Sequence, residues 1–342
     1  MTLESGLQYS QIESQRFGLC IHRGYFNDIE EGALQSYILN EGVDVLIFRI
    51  AAEKQYELAK LNNIALPYLV TDTLVYYRVN LDAYQPNELR NQDIEFEKCQ
   101  PVHGPIIDRL VQEIFAGYTN HYNSNPYLPK QDILAGYQEW ARSYIAADDI
   151  GRISWLVRRK GNPIGFATCS WQGAESEGVL YGVISEASGG GIYGDIIRFT
   201  QNYFKMQGIR FMKVSTQVQN YAVQKVWNRE GFVIDQSFLT IHVNSLLTYS
   251  CIEKKCISIP YLGNKDMFTN INDIILPSIE LLSGIKGSCK YSLFKQFSSF
   301  ESGKGYQAMI SVPWRGSNNQ GKIVAKIIDD SGKLFGVSYY EW

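Results

Sequence analysis

Three consecutive glycines in the middle of the chain separate a strand pattern, 178–184, from a helix pattern. Past the turn Ser188–Gly194, apolar residues recur at helical spacing from Ile196 to Phe204, and Gly208 suits the helix end. The first N–H groups of a helix lack intrahelical partners. Where no side chain blocks them, these N–H groups bind phosphate oxygens, so the turn predicts an anion site. The alternative interpretation is that the glycines only allow the backbone to bend.

Two common phosphate motifs are absent from this turn. No Gly-Lys-Ser/Thr follows it, so it is not a P-loop, and its spacing does not match the dinucleotide-binding pattern.

The neighbouring patterns extend this stretch to about 94–244. Strand patterns at 152–160 and 163–171 predict a hairpin through Gly161-Asn162. A strand is predicted next, at 210–217. It is followed by a helix that has Asn220 as its N-cap and Gly231 at its end, and then by a last strand at 232–243.

The first 93 residues contain a weak copy of the same strand–helix–strand pattern. The run 42–50 aligns with 208–215, although several small gaps are needed further on. Where the second copy has glycines, the first has the acidic run 28–32, so it should not hold an anion. We therefore predict a partial domain at 1–93, a complete one at 94–244 and a small α+β domain at 245–342.

The third stretch predicts a helix at 273–284 and strands at 291–297, 306–312, 322–328 and 334–342, with a hairpin turn at 329–332. A helix followed by an antiparallel meander is similar to the hot-dog fold of acyl-thioester enzymes. A second activity on acyl thioesters is one interpretation, but dehydratases with that fold generally need a histidine paired with an acidic residue, and no histidine lies beyond His242. The expected role is therefore binding or oligomerisation.

Composition excludes several function classes. The 342 residues are 45% hydrophobic with a net charge of −3, which argues against disorder and against a global positive field for nucleic acid. The six cysteines are scattered without a zinc spacing, and no apolar run reaches the roughly 20 residues of a membrane span. We expect a reduced, cytoplasmic protein without metal, nucleic acid or membrane partners, whose oligomeric state stays open.

The run 183–243 resembles the GNAT acyltransferases, which transfer acyl groups from acyl-CoA. The shared features are the strand before the glycine turn, the turn with its helix, the strand ending at Gln217, and Asn220, Ala222, Trp227 and Gly231-Phe232. The segment 11–18 and residues of 120–140 resemble the sugar-nucleotide branch, which also carries a truncated N-terminal GNAT-like half. The resemblance implies an α/β (α+β) fold around a mixed, mostly antiparallel sheet.

The resemblance also implies a ternary complex in which an amine attacks a CoA thioester directly. A backbone N–H near Ile184 would hold the thioester carbonyl oxygen, and pantetheine would lie between splayed strands with Asn220 in contact. The implied CoA-binding residues are Val183, Ile184, Ser188, Gly189, Gly190, Gly191, Ile192, Tyr193, Gly194, Asn220 and Trp227.

Two departures from the family pattern affect this assignment. Ser188 and Tyr193 replace residues of the usual turn, and Trp227 stands where the family has the tyrosine that protonates the leaving thiolate. An indole N–H cannot practically deliver a proton. The CoA thiolate would then leave as an anion, and solvent, Tyr193 or Tyr221 would assist its departure.

The acceptor pocket is expected around 118–144. His121 is the candidate base, because its pKa range suits deprotonation of an amine; a water chain, or a purely structural histidine, is the alternative. Tyr122, Tyr137 and Trp140 would bind the acceptor by stacking.

The expected reaction is therefore N-acylation of a dTDP-linked amino-dideoxy sugar in surface-polysaccharide (O-antigen, lipopolysaccharide) synthesis. The acyl group would be acetyl or a small hydroxyacyl such as 3-hydroxybutanoyl. Two alternatives stay open: a non-catalytic acyl-CoA-binding module, and an acetyltransferase acting on a protein amine or a polyamine.

Overall fold

A computed structural model describes residues 6–63, 66–145 and 151–245, and the backbone of five later strands. The chain divides into two compact units, 1–70 with 241–342, and 71–240. The predicted boundaries after residues 93 and 244 differ from this division. The family character of each predicted domain stays a prediction.

The first unit begins with a parallel strand pair joined by a helix. β1 is antiparallel to β2, and β2 is parallel to β3. A 3₁₀ segment, Ala52–Asn63, follows β3. The elements are β1 (Gln8–Tyr9), α1 (Gln11–Phe17), β2 (Ile21–Phe26), α2 (Glu31–Asn40) and β3 (Val45–Ala51).

The second unit is built on a seven-stranded part of a mixed sheet. Its elements are β4 (Tyr68–Asn80), β5 (Ile94–Lys98), α3 (Gly104–Phe115), α4 (Lys130–Arg142), β6 (Arg152–Arg159), β7 (Asn162–Gln172), β8 (Glu175–Val183), α5 (Ile192–Met206), β9 (Phe211–Gln217), α6 (Tyr221–Arg229) and β10 (Val233–Asn244). The strand order is β10-β4-β9-β8-β7-β6-β5. Only β8 and β9 form a parallel pair among the registers described for this unit. The predicted α/β class with a mixed, mostly antiparallel sheet is confirmed.

Helices cover both faces of this sheet. Side chains of successive strand residues point to opposite faces, so neighbouring residues of β6 pack against different helices. Trp155 and Val157 pack with Ile196 and Phe204 of α5. Leu156, between them, packs on the other face with residues of α3 and α4. The predicted strands and helices of 152–244 are confirmed.

β4 lies between β9 and β10, although more than 130 residues separate it from β9 along the chain. Its register with β9 runs from Leu74 opposite Gln217 to Asn80 opposite Phe211. The backbone groups of β9 on this side are thereby paired by a strand from the first part of the sequence.

The predicted repeat has a counterpart in topology. Both β2-α2-β3 and β8-α5-β9 are parallel pairs joined by a helix. A glycine with positive φ precedes the second strand of each, Gly42 (64°) and Gly208 (75°). Only glycine adopts this conformation without strain, which explains the matching positions.

The hairpin between β6 and β7 differs by one residue from its prediction. Arg159 pairs with Asn162, so Lys160 and Gly161 are the central residues rather than Gly161 and Asn162. Both have positive φ, 52° and 78°, as a type I′ turn requires.

The five later strands form a separate antiparallel sheet ordered β11-β13-β14-β15-β12. They are β11 (Glu253–Ile259), β12 (Ser288–Ser292), β13 (Tyr306–Val312), β14 (Lys322–Asp329) and β15 (Leu334–Glu341). The predicted strands at 306–312, 322–328 and 334–342 are confirmed. The predicted helix at 273–284 lies outside the described residues, and the hot-dog resemblance stays a prediction.

His242 of β10 should make the protein sensitive to mild acid. Its side chain is fully buried, and burial, followed by the positive charge of Arg23, lowers its pKa to about 3. The unfolded chain therefore takes up a proton below pH 6.5 that the folded chain takes up only near pH 3. We expect the free energy of unfolding to fall by about 1.4 kcal/mol per pH unit within this window.

Urea unfolding at pH 7.5, 6.5 and 5.5 measures this slope. His242→Gln should flatten it. Equal slopes in wild type and His242→Gln would contradict the assignment to His242.

Candidate functional site

The glycine turn presents bare backbone between β8 and α5. After a short 3₁₀ turn, Ser185–Ala187, the chain passes through Gly189 and Gly191, both with φ of 84°, into Ile192. A Cβ atom on Gly189 or Gly190 would meet nothing within 4 Å. The hydroxyl of Ser188 donates to the Ser185 carbonyl at 2.7 Å, so this side chain serves its own turn.

The start of α5 has no side-chain cap. Its N-cap is Gly191, whereas the start of α2 is capped by the Glu30 carboxylate, which accepts from the Ala33 N–H at 2.6 Å. Carboxylate and phosphate oxygens satisfy the same helix N–H groups. In the acidic copy, a carboxylate of the chain itself therefore caps the helix start, in line with the prediction that this copy should not hold an anion. Among the described residues, the N–H groups at the start of α5 receive no side-chain oxygen.

A distant loop is fastened beside this turn. The Asp195 carboxylate, fully buried in the first turn of α5, accepts from the backbone N–H groups of Arg90 (2.7 Å) and Asn91 (3.1 Å). The Asn91 amide donates to the Gly190 carbonyl at 3.0 Å. Arg90 and Asn91 were missed by the sequence analysis, because about 100 residues separate them from the turn.

β8 and β9 separate beside this turn. Their parallel register runs from Glu175 opposite Phe211 to Gly178 opposite Val214 and stops there, although β8 continues to Val183 and β9 to Gln217. The β7–β8 register shifts at the same level, which leaves Val179 as an extra residue in β8. Such a bulge bends its strand, and we name the opening between 179–183 and 215–217 the wedge.

The N–H predicted to hold the carbonyl oxygen is already engaged. The Ile184 N–H donates to the Ile164 carbonyl at 2.9 Å, which corrects the assignment to Ile184. Successive N–H groups of a strand point to opposite neighbours. The Val183 N–H therefore points toward β9 and the wedge.

Tyr193, in the first turn of α5, lies beside Trp227 of α6. Trp227 is 3% exposed. Burial raises the pKa of Tyr193, and the neighbouring Trp227 N–H acts in the opposite direction. Tyr221, the other tyrosine considered for the thiolate, is 65% exposed.

Asn220 begins α6 as predicted, but its side chain does not cap the helix. Its amide donates instead to the Thr216 hydroxyl at 3.0 Å, at the end of β9.

The predicted acceptor residues occupy different environments. His121 is buried, with its ring centroid 3.9 Å from that of Tyr122. Tyr137 stacks on Phe115 at 5.0 Å and accepts from Asn120 at 2.9 Å, and burial raises its pKa. Trp140, with its ring 6.1 Å from that of Tyr137, is 44% exposed.

Tyr118 links this region to the end of β9. Its hydroxyl donates to the Gln217 side chain and lies 3.5 Å from the Thr216 hydroxyl. Gln217 in turn lies beside Asp72 of β4. The sequence analysis placed Tyr118 only within the range of the acceptor pocket, 118–144, and missed Asp72, because nothing local connects β4 with β9.

A polar pocket of about 550 Å³ lies at the ends of β8 and β9 that are paired with each other, away from the wedge. Its lining includes Glu175, Glu177 and Lys213. The ammonium of Lys213 is 3.4 Å from Glu175 and 3.7 Å from Glu177. The two carboxylates balance the charges of Lys213 and Arg152, so the lining of this pocket carries no net positive charge.

Within the described residues, no three His, Cys, Asp or Glu side chains are grouped to hold a metal ion. Nor does any helix of that part of the chain combine the length and hydropathy needed to cross a membrane.

No family model matches the chain, and no curated protein matches it. Among solved structures, a conserved protein of unknown function from Staphylococcus epidermidis is 16% identical, with 71% of this chain and 93% of that chain covered and a TM-score of 0.50. This likeness is one of fold.

Other similar structures are GCN5-related N-acetyltransferases. The one from Sphaerobacter thermophilus is 12% identical, with 70% of this chain and 75% of that chain covered (TM-score 0.47). The one from Kribbella flavida is 10% identical, with 66% and 81% covered (TM-score 0.45). Because these TM-scores are below 0.5, functional assignment depends on the chain's own geometry.

Proposed function

We propose that this protein is an N-acyltransferase that moves a short acyl group from coenzyme A to an amine. The observation that carries the proposal is the wedge between β8 and β9 beside the uncapped start of α5. A pyrophosphate suits the N–H groups of that helix start, and an extended chain with amide groups suits the unpaired strand edges.

Different residues of the site would bind CoA and stabilise the thioester oxygen. The turn Gly189–Gly191 and the N–H groups of 192–194 bind the pyrophosphate, and Asn220 borders the pantetheine path. The Val183 N–H holds the thioester oxygen, where negative charge develops; one such donor contributes about 3 kcal/mol to transition-state stabilisation in other enzymes.

In the reaction, the amine nitrogen attacks the thioester carbonyl carbon. A C–N bond forms, the C–S bond breaks, and the amine proton passes to His121 or to water. The thiolate takes a proton from Tyr193, and the tyrosinate regains one from solvent. Burial raises the pKa of Tyr193, so its hydroxyl is protonated when the next reaction begins. We choose Tyr193 over Tyr221 as the proton donor because Tyr193 lies beside Trp227, which stands where GNAT acyltransferases have their proton-donating tyrosine, whereas Tyr221 is 65% exposed.

For the acceptor we propose a dTDP-linked amino-dideoxy sugar, with acetyl or 3-hydroxybutanoyl as the acyl group. The exposed Trp140 beside Tyr137 supports this choice, since aromatic rings stack on a base or pack on a sugar face. The non-catalytic module is the second candidate, favoured by the bulk of Tyr193 at the glycine turn.

Thiol release from acetyl-CoA and 3-hydroxybutanoyl-CoA tests the proposal, with dTDP-linked 3-amino and 4-amino dideoxyhexoses, glucosamine and spermidine as acceptors. We expect amine-dependent release by the wild type. Tyr193→Phe should lower kcat about 100-fold with unchanged affinity for CoA, as expected for loss of one acid catalyst.

Tyr221→Phe is the matched control and should retain wild-type kcat, and His121→Ala tests the base. Binding of CoA without thiol release with any amine would favour the non-catalytic module. Absence of CoA binding would contradict both.

A further inference from the structure

Asp72 of β4 is an acidic group for which the proposed reaction has no role so far. β4 runs antiparallel to β9, and Leu74 lies opposite Gln217 at the end of β9. Asp72 therefore lies just beyond the end of β9, on the same side as the open end of the wedge. The Val218 N–H, bonded to the Thr73 carbonyl at 2.8 Å, holds the two chains together at this point.

The Asp72 carboxylate has few partners. Oδ2 accepts one long hydrogen bond, 3.4 Å, from the Gln217 amide, and Oδ1 is shielded from solvent without any partner among the described residues. No ion pair within that part of the chain includes Asp72. A partly buried carboxylate without a cation or a full set of donors is unfavourable, so its presence calls for a ligand.

The surroundings favour a cation. Burial raises the pKa values of Tyr118 and Tyr137, and the negative charge of Asp72 adds to both shifts. Their rings lie at a centroid distance of 6.2 Å from each other. Aromatic rings beside a carboxylate form a common binding site for ammonium groups.

We infer that Asp72 binds the positively charged amino group of the acceptor and so selects cationic primary amines. This inference rests on the proposed function and names the charge state in which the acceptor arrives. The bound ammonium group loses one proton to water before its nitrogen attacks, and the second proton leaves as described for the proposed reaction. Gln217 holds the carboxylate, and Tyr118, bonded to Gln217, connects it to Thr216 and the end of the wedge.

Stability without any ligand provides a first test. Asn can still accept from Gln217, so Asp72→Asn removes only the uncompensated charge, and we expect Tm of the ligand-free protein to rise by about 3 °C. The matched control is Asp82→Asn, just after the same strand, where a solvent-exposed pair with Arg210 at 3.0 Å is lost and Tm should stay within about 1 °C. A fall in Tm of Asp72→Asn would make Asp72 a structural partner of Gln217 and overturn the inference.

Steady-state kinetics provide the second test, with acetyl-CoA and, as amine probes, the dTDP-linked 3-amino dideoxyhexose, glucosamine and spermidine. Asp72→Asn should raise KM for the best amine about tenfold and leave Kd for CoA within twofold; Asp82→Asn should change neither. If the wild type acylates an amine and Asp72→Asn and Asp82→Asn have equal KM for it, the inference is wrong. If CoA binds but no amine is acylated, the acyltransferase proposal fails and the inference fails with it. If CoA does not bind the wild type, the proposed function itself fails.

Discussion

Gly190→Asp is expected to weaken CoA binding about 30-fold. A Cβ atom at Gly190 meets no neighbour, and its φ is not in the left-handed region, so the variant should fold normally. Its carboxylate would stand at the uncapped start of α5 and repel the pyrophosphate. A repulsion of about 2 kcal/mol, screened by water and salt, corresponds to this loss of affinity.

Titration calorimetry with CoA measures the effect. Gly190→Asn has nearly the same size without the charge and should lose less than threefold. The loss with aspartate should shrink at high salt, because a screened charge causes it. Equal losses for aspartate and asparagine, or none for either, would contradict an anion site at this turn.

Arg198→Met is expected to lower the free energy of unfolding by about 3–5 kcal/mol, the range for removal of one member of a buried ion pair. Arg198 of α5 donates to Glu230 at 2.8 and 2.7 Å and to Asp195 at 3.1 Å. All three side chains are buried, at 9%, 6% and 0% exposure. Without the arginine, two carboxylates are left in the interior without a cation.

Arg210→Met is the matched control, because the ion pair of Arg210 with Asp82 has side chains that are 61% and 55% exposed. It should cost at most about 1 kcal/mol. Urea unfolding of both variants measures the difference. Similar losses would mean that Arg198 contributes to stability no more than a surface arginine does.

The same network also holds the candidate site in shape. Asp195 binds the loop at Arg90 and Asn91, and that loop contacts the glycine turn. We therefore expect Arg198→Met to weaken CoA binding as well as stability.

Local patterns were sufficient for most elements of 152–244. α5 was predicted from apolar spacing and its glycines, and β6 to β9 from β-branched and aromatic runs. These succeed because helix and strand periodicity reflect contacts that the chain makes within a few residues or with one covered face. The hairpin turn was displaced by one residue, since the side-chain pattern does not distinguish which pair of residues adopts positive φ.

The sequence by itself determined the strand, glycine turn and helix at 178–208, the contrast with the acidic copy at 28–32, and the mixed α/β class, since each depends on residues that are neighbours along the chain. Only the tertiary structure decided which N–H faces the wedge, Val183 rather than Ile184, because that follows from the register with β7. It alone brought Asp72 to Gln217 and Arg90 to Gly191, across about 145 and 100 positions. Such contacts depend on strand order and loop packing, and no periodicity or local propensity encodes which distant strand lies beside another.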